Sequence, residues 1–253
     1  MKIAVAGKGG VGKTTLTVWL GDYLSRGNKD VWLVDADTNL SLGTALGLGE
    51  EELPPPLVQQ QELIQERVGS GGFINMNPKV DDLLEGLSTE VRGMHLLLMG
   101  TVAGAGSGCG CAPNTLLKAT LAHLLVWRAQ RVLVDLEAGV EHLGRGTISS
   151  VDGLVVVSEP SIRGLQTASR ISSMARDLGL KKQVLVLNRA AEGYEPPGEM
   201  ELPSLAVRIP YLTSLEERQQ HSASVLDLPE RDRIDGEWRV IAKVFRVEEG
   251  PAL

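Results

Sequence analysis

The run Gly7-Lys8-Gly9-Gly10-Val11-Gly12-Lys13-Thr14-Thr15 sets two lysines and two hydroxyls in a glycine-rich frame. Glycine tolerates the backbone angles that let successive N–H groups curl around a phosphate. Apolar residues 2–6 precede the run and read as a buried strand, and residues 16–24 follow it and read as a helix. Strand, glycine loop and helix in that order, with G-x-x-x-x-G-K-T in the loop, predict a phosphate-binding P-loop. The helix that opens there adds the positive end of its dipole. Gly9, Gly10, Val11, Gly12 and Thr15 would then line the phosphates, Lys13 would reach the β- and γ-phosphates, and Thr14 would ligate a magnesium ion. The expected ligand is a nucleoside triphosphate with Mg2+.

Other residues fit the same chemistry. Arg131-Val132-Leu133-Val134-Asp135 is a mostly apolar strand ending in an acid, and Asp135 would hold a magnesium-bound water. Leu136-Glu137-Ala138-Gly139 follows as a switch, with the Gly139 N–H sensing the γ-phosphate. Asp35 and Asp37 lie where a second strand ends. One of them suits the chemistry, Asp35 being nearer the magnesium, while the other is free to cap a turn. Asn188 ends a strand and is followed by Arg189. Its amide offers a donor and an acceptor that match an adenine edge, although an asparagine there also forms turns. The nucleotide pair is accordingly expected to be ATP and ADP.

Both cysteines of the chain lie in Gly108-Cys109-Gly110-Cys111-Ala112-Pro113-Asn114. Two thiolates one residue apart can chelate a soft metal ion but cannot complete a tetrahedral site. A twofold homodimer would supply four sulfurs, suited to nickel or to zinc. The helix expected to follow would lower the thiol pKa.

Strands must carry these residues to one edge. Apolar runs at 30–34, 72–76, 95–99, 131–135, 154–157, 184–187 and 206–209 read as strands, and residues 115–127, 161–178 and 236–247 read as helices. Residues 50–72, with three prolines and three glutamines in runs, read as an excursion holding one short helix, and residues 101–108 as a flexible loop. Buried strands alternating with helices predict an α/β fold, a mostly parallel sheet covered by helices on both faces. Ligands should sit at the carboxyl ends of the strands. No boundary or repeat interrupts residues 1–253, so one P-loop NTPase domain is expected.

Composition narrows the partners. A net charge of −7 with no long basic cluster argues against a nucleic-acid binder. The chain enters its first strand within two residues, so no signal peptide is expected, and no apolar run approaches the ~18 residues of a membrane span. Two cysteines cannot form a disulfide framework. A cytoplasmic, reduced location without membrane attachment is expected.

Lys8 sits directly after the first glycine and should point along the loop surface, away from its own γ-phosphate pocket. The string K-G-G-V-G-K-T-T resembles the deviant P-loop of the MinD/ParA/nitrogenase-iron-protein class. That resemblance implies that Lys8 crosses a dimer interface to the partner's nucleotide and that Asp37 orients or polarises the attacking water. The class usually has proline after that acid, whereas this chain has Thr38, which leaves the first switch freer. A-G-K-G-G-V-G-K-T-T, V-D-A-D, N-P-K-V at residues 77–80, the C-x-C and D-x-E-A-G-V-E-H-L-G-R-G-T at residues 135–147 together resemble the CooC/AcsF-type nickel-insertion ATPases. The resemblance covers nearly the whole chain. It implies an ATP-hydrolysing metallochaperone whose clients are carbon monoxide dehydrogenase or acetyl-CoA synthase. Glu137, Glu141 and His142 fall in the last motif without an assigned role. Two other readings stay open. One is an iron–sulfur cluster carrier, although those relatives usually carry C-x-x-C. The other is a MinD-type positioning ATPase, whose basic amphipathic last helix residues 238–246 superficially match before Glu248 and Glu249. That segment is expected to dock on the sheet instead.

Overall fold

A computed structural model describes residues 1–27, 30–69, 74–101, 111–128, 131–137, 139–140 and 150–245. Its strands are β1 (Lys2–Gly7), β2 (Val31–Ala36), β3 (Ser88–Val91), β4 (Met94–Leu98), β5 (Arg131–Leu136), β6 (Gly153–Ser158), β7 (Gln183–Leu187) and β8 (Ser204–Arg208). They form one sheet in the order β3-β4-β2-β5-β1-β6-β7-β8. Every pairing is parallel except β3 with β4. β1, β5 and β6 are the predicted continuous apolar runs, as expected where both faces are covered.

Side chains alternate between two cores. Along β2, Val31 and Leu33 face one core and Trp32 and Val34 the other. The first core holds α1 (Lys13–Ser25) and α8 (Arg231–Val244), through Leu16, Trp19, Ile234, Trp238 and Ile241. The second holds α3 (Gln61–Val68), α5 (Cys111–His123) and α6 (Ile162–Asp177), through Ile64, Leu116, Leu121, Leu165 and Ile171. Short helices α2 (Leu42–Leu46), α4 (Leu83–Gly86) and α7 (Thr213–Gln219) complete the α-helices of the described residues. The expected α/β sheet with helices on both faces is therefore present. The last helix docks as expected, with Trp238, Ile241 and Phe245 buried on the sheet. Among the described residues no helix is long and apolar enough to cross a membrane.

Several elements depart from the sequence-based expectation. The strand expected at residues 72–76 is absent over its described part, residues 74–76. There Asn75 Oδ1 accepts the Asn77 N–H at 3.0 Å, a local turn that competes with pairing, and Pro78 follows. α8 starts at Arg231, five residues before the expected helix, and continues through Gly236. α5 starts at Cys111, so one cysteine is the first residue of the helix rather than preceding it. Pro113 fits its first turn, where no helical N–H bond is required. The expected loop at residues 101–108 lies outside the described residues from 102 onward.

Candidate functional site

The carboxyl ends of β1, β2, β5, β6 and β7 converge on the P-loop. β1 ends at Gly7, whose packing leaves no room for a side chain: a β-carbon there would lie 2.3 Å from the Val157 carbonyl oxygen of β6. Beyond it the loop turns back, and Leu16 N–H donates to Gly12 O at 3.0 Å as α1 begins. Gly10 and Gly12 take left-handed φ of 81° and 95°. Gly9 and Gly10 are exposed, Val11 is buried, and Thr14 and Thr15 are half-buried. The two loop lysines part company: Lys13 is 6% exposed at the head of α1, whereas Lys8 is exposed on the loop surface.

Thr14 meets Asp135 across the end of β5. Its hydroxyl donates to Asp135 Oδ2 at 2.6 Å. The other carboxylate oxygen, Oδ1, is buried without a hydrogen-bond partner. An orphaned buried carboxylate oxygen is costly unless a cation or water meets it. Burial pushes the Asp135 pKa up to about 7, against the opposing hydrogen bond from Thr14. The residues present thus fit a magnesium ion, a hard cation that takes oxygen ligands.

Asp35 is the register partner of Asp135 on β2 and is fully buried. Burial raises its pKa to about 6, although two backbone N–H groups favour the charged form. Those donors are Asp37 N at 3.1 Å and Leu42 N at 2.8 Å. Both of its oxygens therefore hold the loop after β2, so Asp35 caps a turn. Asp37 is 7% exposed, and its Oδ1 accepts Asn39 N and Nδ2 at 2.9 and 3.0 Å. Thr38, in the position where proline was the expectation, accepts the Thr101 hydroxyl at 3.1 Å.

Asn188 follows β7 and reaches under the P-loop, its Nδ2 donating to Val11 O at 2.8 Å. Its Oδ1 accepts the Arg189 N–H at 3.0 Å. Arg189 takes a left-handed φ of 55°, pairs with Glu159 and donates to Gly10 O at 3.4 Å. Beside them opens a cleft of about 260 Å³. It runs from Gly12 and Thr15 past Asn188 and Arg189 to Pro210 and Tyr211. The Tyr211 hydroxyl is 2.6 Å from Glu216 Oε2 at its rim.

Gly139 is buried beyond β5, and Ala138, Glu141 and His142 lie outside the described residues. Cys109 does too. Cys111 is exposed at the head of α5, where its carbonyl accepts the Thr115 hydroxyl at 2.8 Å. Ser41 had no role in the sequence reading, yet its hydroxyl lies 3.4 Å from that of Thr14. Its place after D-A-D-T-N-L was visible, but its distance from Thr14 depends on how that loop folds.

A family model for the CobQ/CobB/MinD/ParA nucleotide binding domain matches residues 2–226. The chain belongs to this family. It is 46% identical over 197 residues to the carbon monoxide dehydrogenase accessory protein CooC of Rhodospirillum rubrum, covering 76% of this chain and 75% of that one. An uncharacterized ATP-binding protein of Methanocaldococcus jannaschii is 40% identical over 194 residues, 75% of each chain. Solved structures share the fold at lower identity. MinD in the MinC:MinD cell division complex of Aquifex aeolicus gives a TM-score of 0.68 at 20% identity, over 95% of both chains. The septum site-determining protein MinD of Pyrococcus horikoshii, complexed with Mg-ADP, gives 0.62 at 20%, over 96% of both. The chain is an ATPase of the MinD/ParA class and of the CooC type.

Proposed function

We propose that this ATPase is a metallochaperone that carries nickel to carbon monoxide dehydrogenase or acetyl-CoA synthase, with its metal bound between two copies of the chain. The observation that carries the reading is the cysteine pair set in a chain this similar to CooC. Cys109 and Cys111 stand one residue apart, and Cys111 is exposed at the start of α5. Two thiolates from each copy give a complete set of four sulfur ligands, which zinc would also accept.

In this reading Gly9, Gly10, Val11, Gly12 and Thr15 direct backbone N–H groups at the phosphates, and Lys13 neutralises the β- and γ-oxygens. Thr14 and Asp135 would hold the magnesium ion, which when bound would supply further neutralisation of phosphate charge. Asp37 orients the attacking water, and Gly139 senses the γ-phosphate. Asn188 and Arg189 border the cleft that takes the adenine. Lys8, exposed on the loop, reaches the partner's phosphates when ATP closes the homodimer. Hydrolysis releases that contact, reopens the dimer and loosens the metal.

The test is delivery. Nickel-free carbon monoxide dehydrogenase or acetyl-CoA synthase is mixed with the nickel-loaded protein and ATP. Activation should outpace an equal amount of free nickel and should stop with Asp37→Ala. Activation no faster than with free nickel for both enzymes would reject the reading.

A further inference from the structure

The loop after β2 is built to present one side chain. The two carboxylate oxygens of Asp35 receive Asp37 N and Leu42 N, so one buried group pins both ends of the loop. Between them Asn39 closes on Asp37, and Leu40 takes φ of 47°, a conformation uncommon outside glycine. Ser41 stands at the N-cap position of α2. A serine there usually turns its hydroxyl onto the helix N–H groups. This one makes no such cap. Its oxygen lies instead 3.4 Å from Thr14 Oγ1. Thr14 gives its single hydroxyl proton to Asp135 Oδ2, so it accepts at Ser41 and Ser41 donates. The remaining Asp135 oxygen, Oδ1, is buried and unpartnered. Thr14 Oγ1 thus lies within 3.4 Å of both a Ser41 and an Asp135 oxygen, and all three are hard donors of the kind magnesium takes.

We infer that the Ser41 hydroxyl is a ligand of the nucleotide-bound magnesium ion, supplied by the first switch opposite Thr14. The inference rests on the assignment of Thr14 to that ion. Asp35 is then a positioning residue, since it sets Ser41 without touching the metal. Ser41 also gives the loop that carries Asp37 a direct hold on the ion, so metal loading and placement of Asp37 become one event.

The test reads binding, without turnover. Affinity for a fluorescent ADP analogue is measured across a magnesium titration and again in EDTA. For Ser41→Ala the half-saturating magnesium concentration should rise about tenfold, with EDTA affinity unchanged. Ser41→Thr, which keeps the hydroxyl, should restore the wild-type requirement. A wild-type magnesium requirement in Ser41→Ala would overturn the inference. So would an equal loss with and without magnesium, which marks a structural role. If magnesium leaves the affinity of the wild-type protein unchanged, the assignment of Thr14 itself falls.

Discussion

Asn188 and Gly12 stand so close that a β-carbon at position 12 would lie 2.4 Å from the asparagine Nδ2. The same nitrogen donates to Val11 O, so Asn188 braces the P-loop from below while bordering the cleft beside it. One side chain thereby joins the P-loop to the cleft proposed to take the adenine. Asn188→Ala should weaken ADP binding about tenfold by removing the brace and the base contact together. It should also narrow the preference for ADP over GDP. Titration with both nucleotides checks this. Retained affinity and retained preference would remove Asn188 from base recognition.

The two lysines of the loop separate binding from turnover. Lys13 is buried at the head of α1, and Lys8 is exposed on the loop. On the proposed role, Lys13→Ala would remove charge-assisted bonds to two phosphates and should cost about a hundredfold or more in ATP affinity. Lys8→Ala should bind ATP normally and lose hydrolysis, because its proposed target is the partner's phosphate. Equilibrium binding and steady-state turnover, measured on both variants, decide the matter. Normal turnover in Lys8→Ala would leave that lysine a solvated surface group.

How much of this was legible follows from what each residue depends on. The P-loop and its flanking strand and helix were readable because their signals are local: glycines at fixed spacing and an unbroken apolar run. β3 was missed because Ser88-Thr89-Glu90-Val91 is a polar edge strand. Its only cue is the hairpin turn at Arg92 and Gly93, with φ of 52° and 73°. Such a turn normally announces itself as Asn-Gly or Asp-Gly, and arginine hides it. α2 has five residues, and its first N–H, from Leu42, is held by Asp35 on β2. Asp35 and Asp37 were recognised as a pair, but that both accept backbone N–H groups of the same loop depends on how the loop folds. Ser41 was invisible for the same reason.

The buried carboxylates make stability depend on pH. Burial raises Asp135 to about 7 and Asp35 to about 6, both from 3.8. Between about pH 4 and pH 7 the native protein holds protons that the unfolded chain has released, so stability without ligand falls as pH rises through that window. Below it both states are protonated and these two groups contribute no slope. Magnesium with ADP favours the ionised carboxylate, so binding should release protons and flatten the decline. Thermal denaturation across pH, with and without Mg-ADP, together with calorimetry in buffers of differing ionisation enthalpy, reads both effects. A ligand-free melting temperature that rises from pH 5 to pH 7 would contradict this account of the pair.

The cysteines offer the sharpest division between a shared metal site and a minor one. If each chain gives two thiolates to a common ion, a single ion should be found for each pair of chains. That ion should hold the dimer together without nucleotide, since it bonds both chains directly. Cys109→Ser or Cys111→Ser should lose the metal and the nucleotide-free dimer together. ATP binding should survive, because the P-loop is formed at the carboxyl end of β1, while Cys111 heads α5. Bound nickel should show thiolate charge-transfer absorption that disappears in either variant. Metal analysis, sedimentation and absorption spectra on the same samples test each consequence. One tightly held metal in every chain, persisting in a monomer, would mean that the sulfurs of a single chain suffice with other ligands. Closing the dimer would then have no leverage on the ion, and the proposed link between ATP hydrolysis and metal release would be lost with it.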